Sequence, residues 1–298
     1  MPLRKFDYFL QSEQKVLLFL AQRLGLQPHL VQRFFDTNRV FVNDAMCNDK
    51  TIRASGKVSV LLFEPQPRYR QPIFTTKDFI VFDKDAHVYI HPQIMYDGYT
   101  LLDEIRHYGG ESANPCHRLD RETSGLVVCG LNKQSTVAFK NMFEARSVQK
   151  EYLAIVKGRV TDAMTIEEPL ARTYAFDVSK HKVKVCQSGK KSITHVIPLR
   201  YDDKNDTTFV KLIPVTGRTH QLRVHMFHVK HPILGDPIYG ASYEFANDYL
   251  NKKTTEADRI KFLGAKRLML HSNMLAFEYG QRKYKIVSQC STWNIATD

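Results

Sequence analysis

Apolar side chains early in the chain change period several times, and each change marks an element. Leu17, Leu20, Ala21 and Leu24 recur at helical spacing, with Gly25 behind them as a stop. After Pro28, the set Leu30, Val31, Phe34 and Phe35 predicts a second short amphipathic helix carrying Arg33 outward. The period then shortens to two. Residues 39–44 form an extended run ending in the turn pair Asn43 and Asp44, and residues 57–62 alternate strictly. Two short helices and a small sheet predict a first domain over residues 1–64. Glu64, Pro65, Gln66 and Pro67 break the pattern, and residues 68–72 extend the break, so 65–72 is expected to be a linker.

Strand signals dominate the second domain, expected over 73–298. Residues 79–82 and 87–90 flank Asp83, Lys84, Asp85 and Ala86 and read as a hairpin. Further extended runs are 126–129, 152–156, 192–197 and 208–213, with a closing pair at 274–279 and 283–287 around Gly280. Helical patterns cover 100–107, 134–145, 219–229 and a stretch near 256–263. Strands with interspersed helices and mostly hairpin connections predict an α+β fold. Its core is a large mixed, mainly antiparallel sheet flanked by helices, behind a small N-terminal α+β domain.

Charge narrows the function. The 43 Lys and Arg outnumber the 31 Asp and Glu, a net charge of +12, which favours a polyanionic partner. Residues 1–62 share the bias, with nine basic against five acidic side chains. The plainer reading of such charge is solubility. The five cysteines, Cys47, Cys116, Cys129, Cys186 and Cys290, include no CxxC pair, which speaks against a disulfide scaffold or zinc knuckle and fits a reducing compartment. No apolar run reaches membrane-span length, and the first fifteen residues hold no signal-peptide core, so a cytoplasmic protein is expected.

Three short stretches could carry chemistry. In HRLDRETSG (117–125), Asp120 lies between Arg118 and Arg121, and neighbouring guanidinium groups favour an ionised carboxyl. Such an Asp is a poor general acid and a usable nucleophile or base. In isolation the stretch reads first as a surface salt-bridge cluster. In residues 214–225 a Gly turn feeds a basic segment, where His220 and Arg223 are expected to share one helical face and Leu222, Met226 and Val229 another. In KEYLAIVKG (150–158), Tyr152 sits on an apolar strand, where an aromatic residue most often simply packs. The spacing of His225, His228 and His231 lacks a completing carboxylate or thiolate, so no metal is expected. HRLD lacks the companion motifs of a kinase, and no Walker or GxGxxG segment exists.

Together, HRLDRETSG, KEYLAIVKG, GRTHQLRVHM, HPILGDPIYG (231–240) and RLMLH (267–271) resemble the RluA-type pseudouridine synthases in order and approximate spacing, over about residues 73–290. The first sixty residues resemble an S4-type RNA-binding module, with FFDTNRVFVND placing Asn38 and Asp44 where that pattern has glycines. The resemblance implies isomerisation of uridine to pseudouridine in RNA, with no cofactor, metal or energy source. It implies Asp120 as the essential carboxylate, Arg223 as its ion-pair partner, Tyr152 stacked on the uracil and Leu270 on the opposite side. Arg118 would hold the flipped nucleotide or fill the space it leaves, while Arg218 and His220 would contact RNA. A basic loop formed by Lys180, His181, Lys182 and Lys184, with Lys190 and Lys191, would grip phosphates. The expected partner is RNA rather than DNA or a membrane, and the expected state a monomer. Large-subunit ribosomal RNA is the favoured target, with transfer RNA, or a non-catalytic assembly role, as alternatives.

Overall fold

The structure is a computed structural model that describes residues 3–92, 98–173 and 183–289. The chain divides into two compact units, Met1–Arg68 with His91–Glu104, and Tyr69–Ile90 with Ile105–Asp298.

The first unit contains β1 (Leu3–Lys15), α1 (Val16–Leu24), α2 (Pro28–Asp36), β2 (Val40–Val42), β3 (Ala45–Cys47) and β4 (Arg53–Phe63). Its four strands pair antiparallel in the order β1-β4-β2-β3. Val40, Val58 and Val60 of this sheet bury against Val16, Leu17 and Leu20 of α1 and Val31 and Phe35 of α2. Strand β1 was not foreseen from the sequence, although Phe6, Tyr8 and Leu10 alternate on its inward side. The Asn38, Asn43 and Asp44 backbones all take positive φ (55°, 49° and 65°), the region that glycine favours and that Asn and Asp tolerate best among the rest. The β2–β3 hairpin therefore closes through Asn43 and Asp44 without glycine. Within the segment read as a linker, the Gln66 and Arg68 amides donate to Asp103 and Glu104 at 2.9 and 2.7 Å.

The remaining elements are β5 (Phe74–Thr75), β6 (Phe79–Lys84), α3 (Leu101–Gly109), β7 (Asn114–Pro115), β8 (Ser124–Gly130), α4 (Lys133–Glu144), β9 (Gln149–Lys157), β10 (Met164–Ile166), β11 (Leu170–Arg172) and β12 (Val183–Val185). They continue with β13 (Thr194–Asp202), β14 (Thr207–Pro214), α5 (Gln221–His228), α6 (Tyr243–Leu250), α7 (Glu256–Leu263), β15 (Leu270–Tyr279) and β16 (Arg282–Val287). A ten-stranded sheet runs β10-β13-β14-β9-β15-β8-β6-β5, with β16 on β15 and β7 on β8. Its pairings are antiparallel except β15 with β8, where His271 faces Ser124 and Ser272 faces Gly125. The fold is thus α+β with a large mixed sheet flanked by helices.

Strand β8 is buried along its whole length, which accounts for its near-continuous apolar run. Each fully buried Leu or Val there contributes roughly 1.5–3 kcal/mol relative to exposure. Gly125, the second residue of this strand, has φ 112°, and a Cβ on it would collide with the backbone of Ser272, so only glycine lets β15 approach in parallel. The expected hairpin across residues 79–90 does not form. Lys84 is buried, and its ammonium donates to the carbonyls of Asp85, Val88 and Arg121 at 2.8, 2.9 and 3.3 Å. The chain after β6 wraps that charge instead of returning as a strand, and β6 pairs with β8 and β5. Helix α5 is also shorter than expected, because His220 adopts φ 55° and cannot join it. Helix α6 was not foreseen; Ser242 caps it by accepting from the Phe245 amide.

Candidate active site

Segments carrying the predicted site residues converge on a cavity of about 350 Å³, which Lys140, Phe143 and Glu144 of α4 also line. The turn before β8 supplies Arg118 and Asp120, β9 supplies Tyr152, the loop from β14 to α5 supplies Arg218 and His220, α5 supplies Arg223 and β15 supplies Leu270. All seven line the same space. The turn is set locally, with the Thr123 amide donating to the Asp120 carbonyl at 3.1 Å and Lys84 holding the Arg121 carbonyl. Buried Gln221 sets the opposite loop. Its amide oxygen accepts from Thr216 and the Arg218 amide, and its nitrogen donates to Ile193 and Thr194, so it ties residues 216–221 to the start of β13.

At the floor, Arg223 Nη1 donates to Asp120 Oδ2 at 3.3 Å, and His220 Nε2 lies 3.7 Å from the same oxygen. His220 and Arg223 do not share a helical face. His220 reaches Asp120 from its left-handed position ahead of the helix, a conformation that stores strain at a site of chemistry. Arg223 is not reserved for Asp120. Its Nε and Nη2 form a bidentate pair with Asp236 at 2.7 and 2.8 Å, both side chains being almost fully buried. Asp236 is fixed in turn by the Ile238 and Tyr239 amides, both at 2.9 Å from Oδ1. The Tyr239 hydroxyl shares a 2.9 Å hydrogen bond with His220 Nδ1, and its ring lies 5.1 Å beneath the Arg223 guanidinium. Asp236 falls inside HPILGDPIYG but received no role from the sequence. The available signal was an Asp after glycine within an apolar run, since an Asp there needs a buried cation.

A model of the RNA pseudouridylate synthase family matches residues 78–228, about half of the chain. An uncharacterized RNA pseudouridine synthase of Helicobacter pylori is 37% identical over 289 residues, covering 97% of this chain and 94% of that protein. The chain belongs to the RNA pseudouridylate synthase family. Ribosomal large subunit pseudouridine synthase D of Pseudomonas aeruginosa is 32% identical over 218 residues, 69% of this chain and 67% of that protein. Among solved structures, human RNA pseudouridylate synthase domain containing 1 matches with a TM-score of 0.59 and 27% identity, covering 76% of this chain and 86% of that one. This synthase is therefore an RNA isomerase. Asp236, Tyr239 and Leu270 lie beyond the family match.

Electrostatics separate the roles open to the synthase's cavity groups. Burial alone would push the Asp120 carboxyl up, but His220, Arg223 and Arg118 outweigh it and hold the carboxyl below its ordinary value of 3.8. Asp120 is thus an anion at neutral pH. Burial also opposes the charge on Arg223, and Asp236 followed by Asp120 reverses that effect, leaving a fixed cation. Burial pushes Tyr152 up to about 12, with Asp120 adding to the rise and the Ser272 hydroxyl opposing it. Tyr152 is a neutral phenol at pH 7, suited to stacking and hydrogen bonding.

Behind the same turn, Glu122 accepts from Arg259 at 2.8 Å and Tyr249 at 2.7 Å, and lies 3.0 Å from His87 Nδ1. Burial would raise its carboxyl, yet His87 and Arg259 bring it well below the carboxylate range. This pairing ties the HRLDRETSG turn to α6 and α7, and the sequence offered no sign of it. Of the three histidines weighed as a metal pattern, two meet Glu168 and the third lies apart from it. His225 bonds Thr194 and the Glu168 carbonyl, His231 bonds the Lys157 carbonyl, and His228 lies 3.8 Å from Glu168. Of the basic loop, Lys184, Lys190 and Lys191 are exposed, while Lys180, His181 and Lys182 lie outside the described residues.

Proposed function

We propose that this RNA pseudouridine synthase uses Asp120 to isomerise uridines of large-subunit ribosomal RNA. The observation that carries the site assignment is an anionic carboxylate, kept so by Arg223 and His220, at the floor of a cavity that Tyr152 and Leu270 also line. A target uridine leaves its stack, at a cost of about a few kcal/mol, and enters the cavity. Asp120 acts on the ribose, either by attack at C1′ or by deprotonation of the sugar to an enol-like species. The C1′–N1 bond breaks, the uracil turns between Tyr152 and Leu270, C1′ bonds to C5, and the C5 proton is lost while N1 gains one. Atoms and electrons balance within one nucleotide, so the reaction consumes no co-substrate. Arg118, exposed at the mouth, holds the flipped nucleotide or fills the space it leaves, with Arg218 and His220 on the facing loop.

The ribosomal target is supported by the likeness to a large-subunit synthase and by the basic first unit, which we read as an S4-like RNA-binding module over residues 1–64. Residues 65–72 link it to a catalytic domain over 73–298, and the synthase acts as a cytoplasmic monomer. Asp120→Asn should abolish pseudouridine formation while RNA binding survives, and substantial turnover by the Asn variant would remove Asp120 from the mechanism. Pseudouridine mapping in total RNA with and without the protein tests the target. Sites lost only from transfer RNA would replace the ribosomal assignment, and no lost site would favour a non-catalytic assembly role.

A further inference from the structure

One rim of the cavity carries positive charge that no carboxylate among the described residues pairs with. Lys150 lies two residues before Tyr152 on β9, so both project from the same side of the strand, and both line the cavity. The intervening Glu151 points to the other side and faces Lys211 at 3.9 Å. The Lys150 ammonium reaches across to the loop before α5, where a Cβ built on Gly217 would lie 3.8 Å from Nζ. Next to it, the Arg218 Nε is buried and has no hydrogen-bond partner. Among the described residues neither cation has a carboxylate within ion-pair distance. Glu144 lines the same cavity but is exposed on α4 and pairs with neither. His117, the ring nearest Lys150 in charge effect, is kept neutral near pKa 3 by burial and then by Lys150, and it accepts from the Val128 amide.

We propose that Lys150 and Arg218 form a seat for the phosphate adjoining the everted uridine. This rests on the reading that the Asp120 cavity receives that nucleotide. The position favours a phosphate over the base. Gly217 and Thr219 are exposed, so this loop forms the mouth, whereas Arg223, Thr123 and Leu270 are buried at the floor. A polynucleotide can insert a base and ribose into such a cavity but must leave its backbone at the mouth. Burial, reinforced by Arg146, lowers the Lys150 pKa, so the free enzyme holds a disfavoured ammonium that an arriving anion relieves. A guanidinium with an unmet Nε donor and an ammonium lining the same cavity provide several charge-assisted donors to one phosphate.

The test compares uridine with uridine 3′,5′-bisphosphate as ligands of the full chain, by NMR titration or calorimetry. Wild type should prefer the bisphosphate by about tenfold or more, as expected for charge-assisted bonds. Lys150→Met and Arg218→Met should each lose most of that preference while keeping the affinity for uridine, and Lys150→Arg should restore it. A wild type that binds both ligands alike overturns the proposal, as do variants that lose affinity for both ligands equally. Uridine-induced shifts at Tyr152 and Leu270 separate the two levels. Their absence counts against the cavity as a nucleotide site, whereas their presence without phosphate preference refutes the Lys150 and Arg218 seat alone.

Discussion

Replacing Asp236 with Asn changes one oxygen to an amide group and tests whether the arginine at the floor is held by Asp236 or by Asp120. The substitution keeps the side chain's size and leaves Oδ1 to accept from the Ile238 and Tyr239 amides, so the local turn persists. It removes the negative charge and turns the 2.7 Å bond from Arg223 Nε to Oδ2 into a contact between two donors, leaving Arg223 the 2.8 Å bond from Nη2 to Oδ1 and the 3.3 Å contact to Asp120. Removing one partner of a buried pair costs about 3–5 kcal/mol. The retained amide contacts place this change near the lower end, within the 5–15 kcal/mol that domains commonly hold, so the variant should fold. An arginine released from its clamp shifts on the order of 1 Å, and such a displacement at a reacting group costs about a hundredfold in rate. Single-turnover conversion of the target RNA at saturating enzyme, alongside thermal unfolding, reads both effects. The pH profile separates this variant from Arg223→Gln. With Asp236→Asn, Arg223 still faces Asp120, so the acid limb should stay below pH 3.8. With Arg223→Gln, burial of Asp120 loses one of its opposing charges, the carboxyl rises, and the acid limb should move up in pH. A folded Asp236→Asn enzyme with near-normal single-turnover rate would refute the positioning role of Asp236.

Glu122→Gln should destabilise the fold by about 3 kcal/mol at pH 7, since it leaves Arg259 buried without its anion. Because the folded carboxyl lies below its ordinary 4.5, that contribution is complete above pH 4.5 and fades as pH falls below it. The gap between wild type and variant in denaturant titrations should therefore narrow at low pH, and a gap that widened would contradict the assignment. Gly125→Ala combines a positive φ with a collision against Ser272 and should cost about 3 kcal/mol or more, read as a lower melting temperature. Unchanged melting would show that β8 and β15 can separate freely. RNA affinity should fall steeply with salt, and a flat dependence would speak against backbone-dominated binding.

The candidate site could be read wherever one segment carried its own meaning. Asp120, Tyr152, Arg223, Arg118, Arg218, His220 and Leu270 lie in short motifs, and each reaches the one cavity. The two helices of the first unit follow from apolar spacing and from stop signals such as Gly25, which takes the left-handed cap of α1. Local pattern misled where a long-range contact intervened. Residues 87–90 have strand character, but the buried Lys84 ammonium requires carbonyls around it, and the chain supplies them at the cost of the hairpin. Likewise, helical spacing ran through His220 because nothing local signals that its ring must meet Tyr239 and Asp120.

The sequence by itself determined the periods of the elements, the glycine in β8, the excess of positive charge and the chemical groups that enter the cavity. These depend on neighbours a few residues away, which backbone geometry and side-chain size suffice to decide. Only the tertiary structure decided which charges meet. Asp236 clamps Arg223 from 13 positions away, Asp120 meets that arginine across 103, and Arg259 satisfies Glu122 across 137. A charge becomes costly only once burial removes its water. The partner that relieves that cost is whichever segment the folded sheet brings alongside, and no local pattern encodes it.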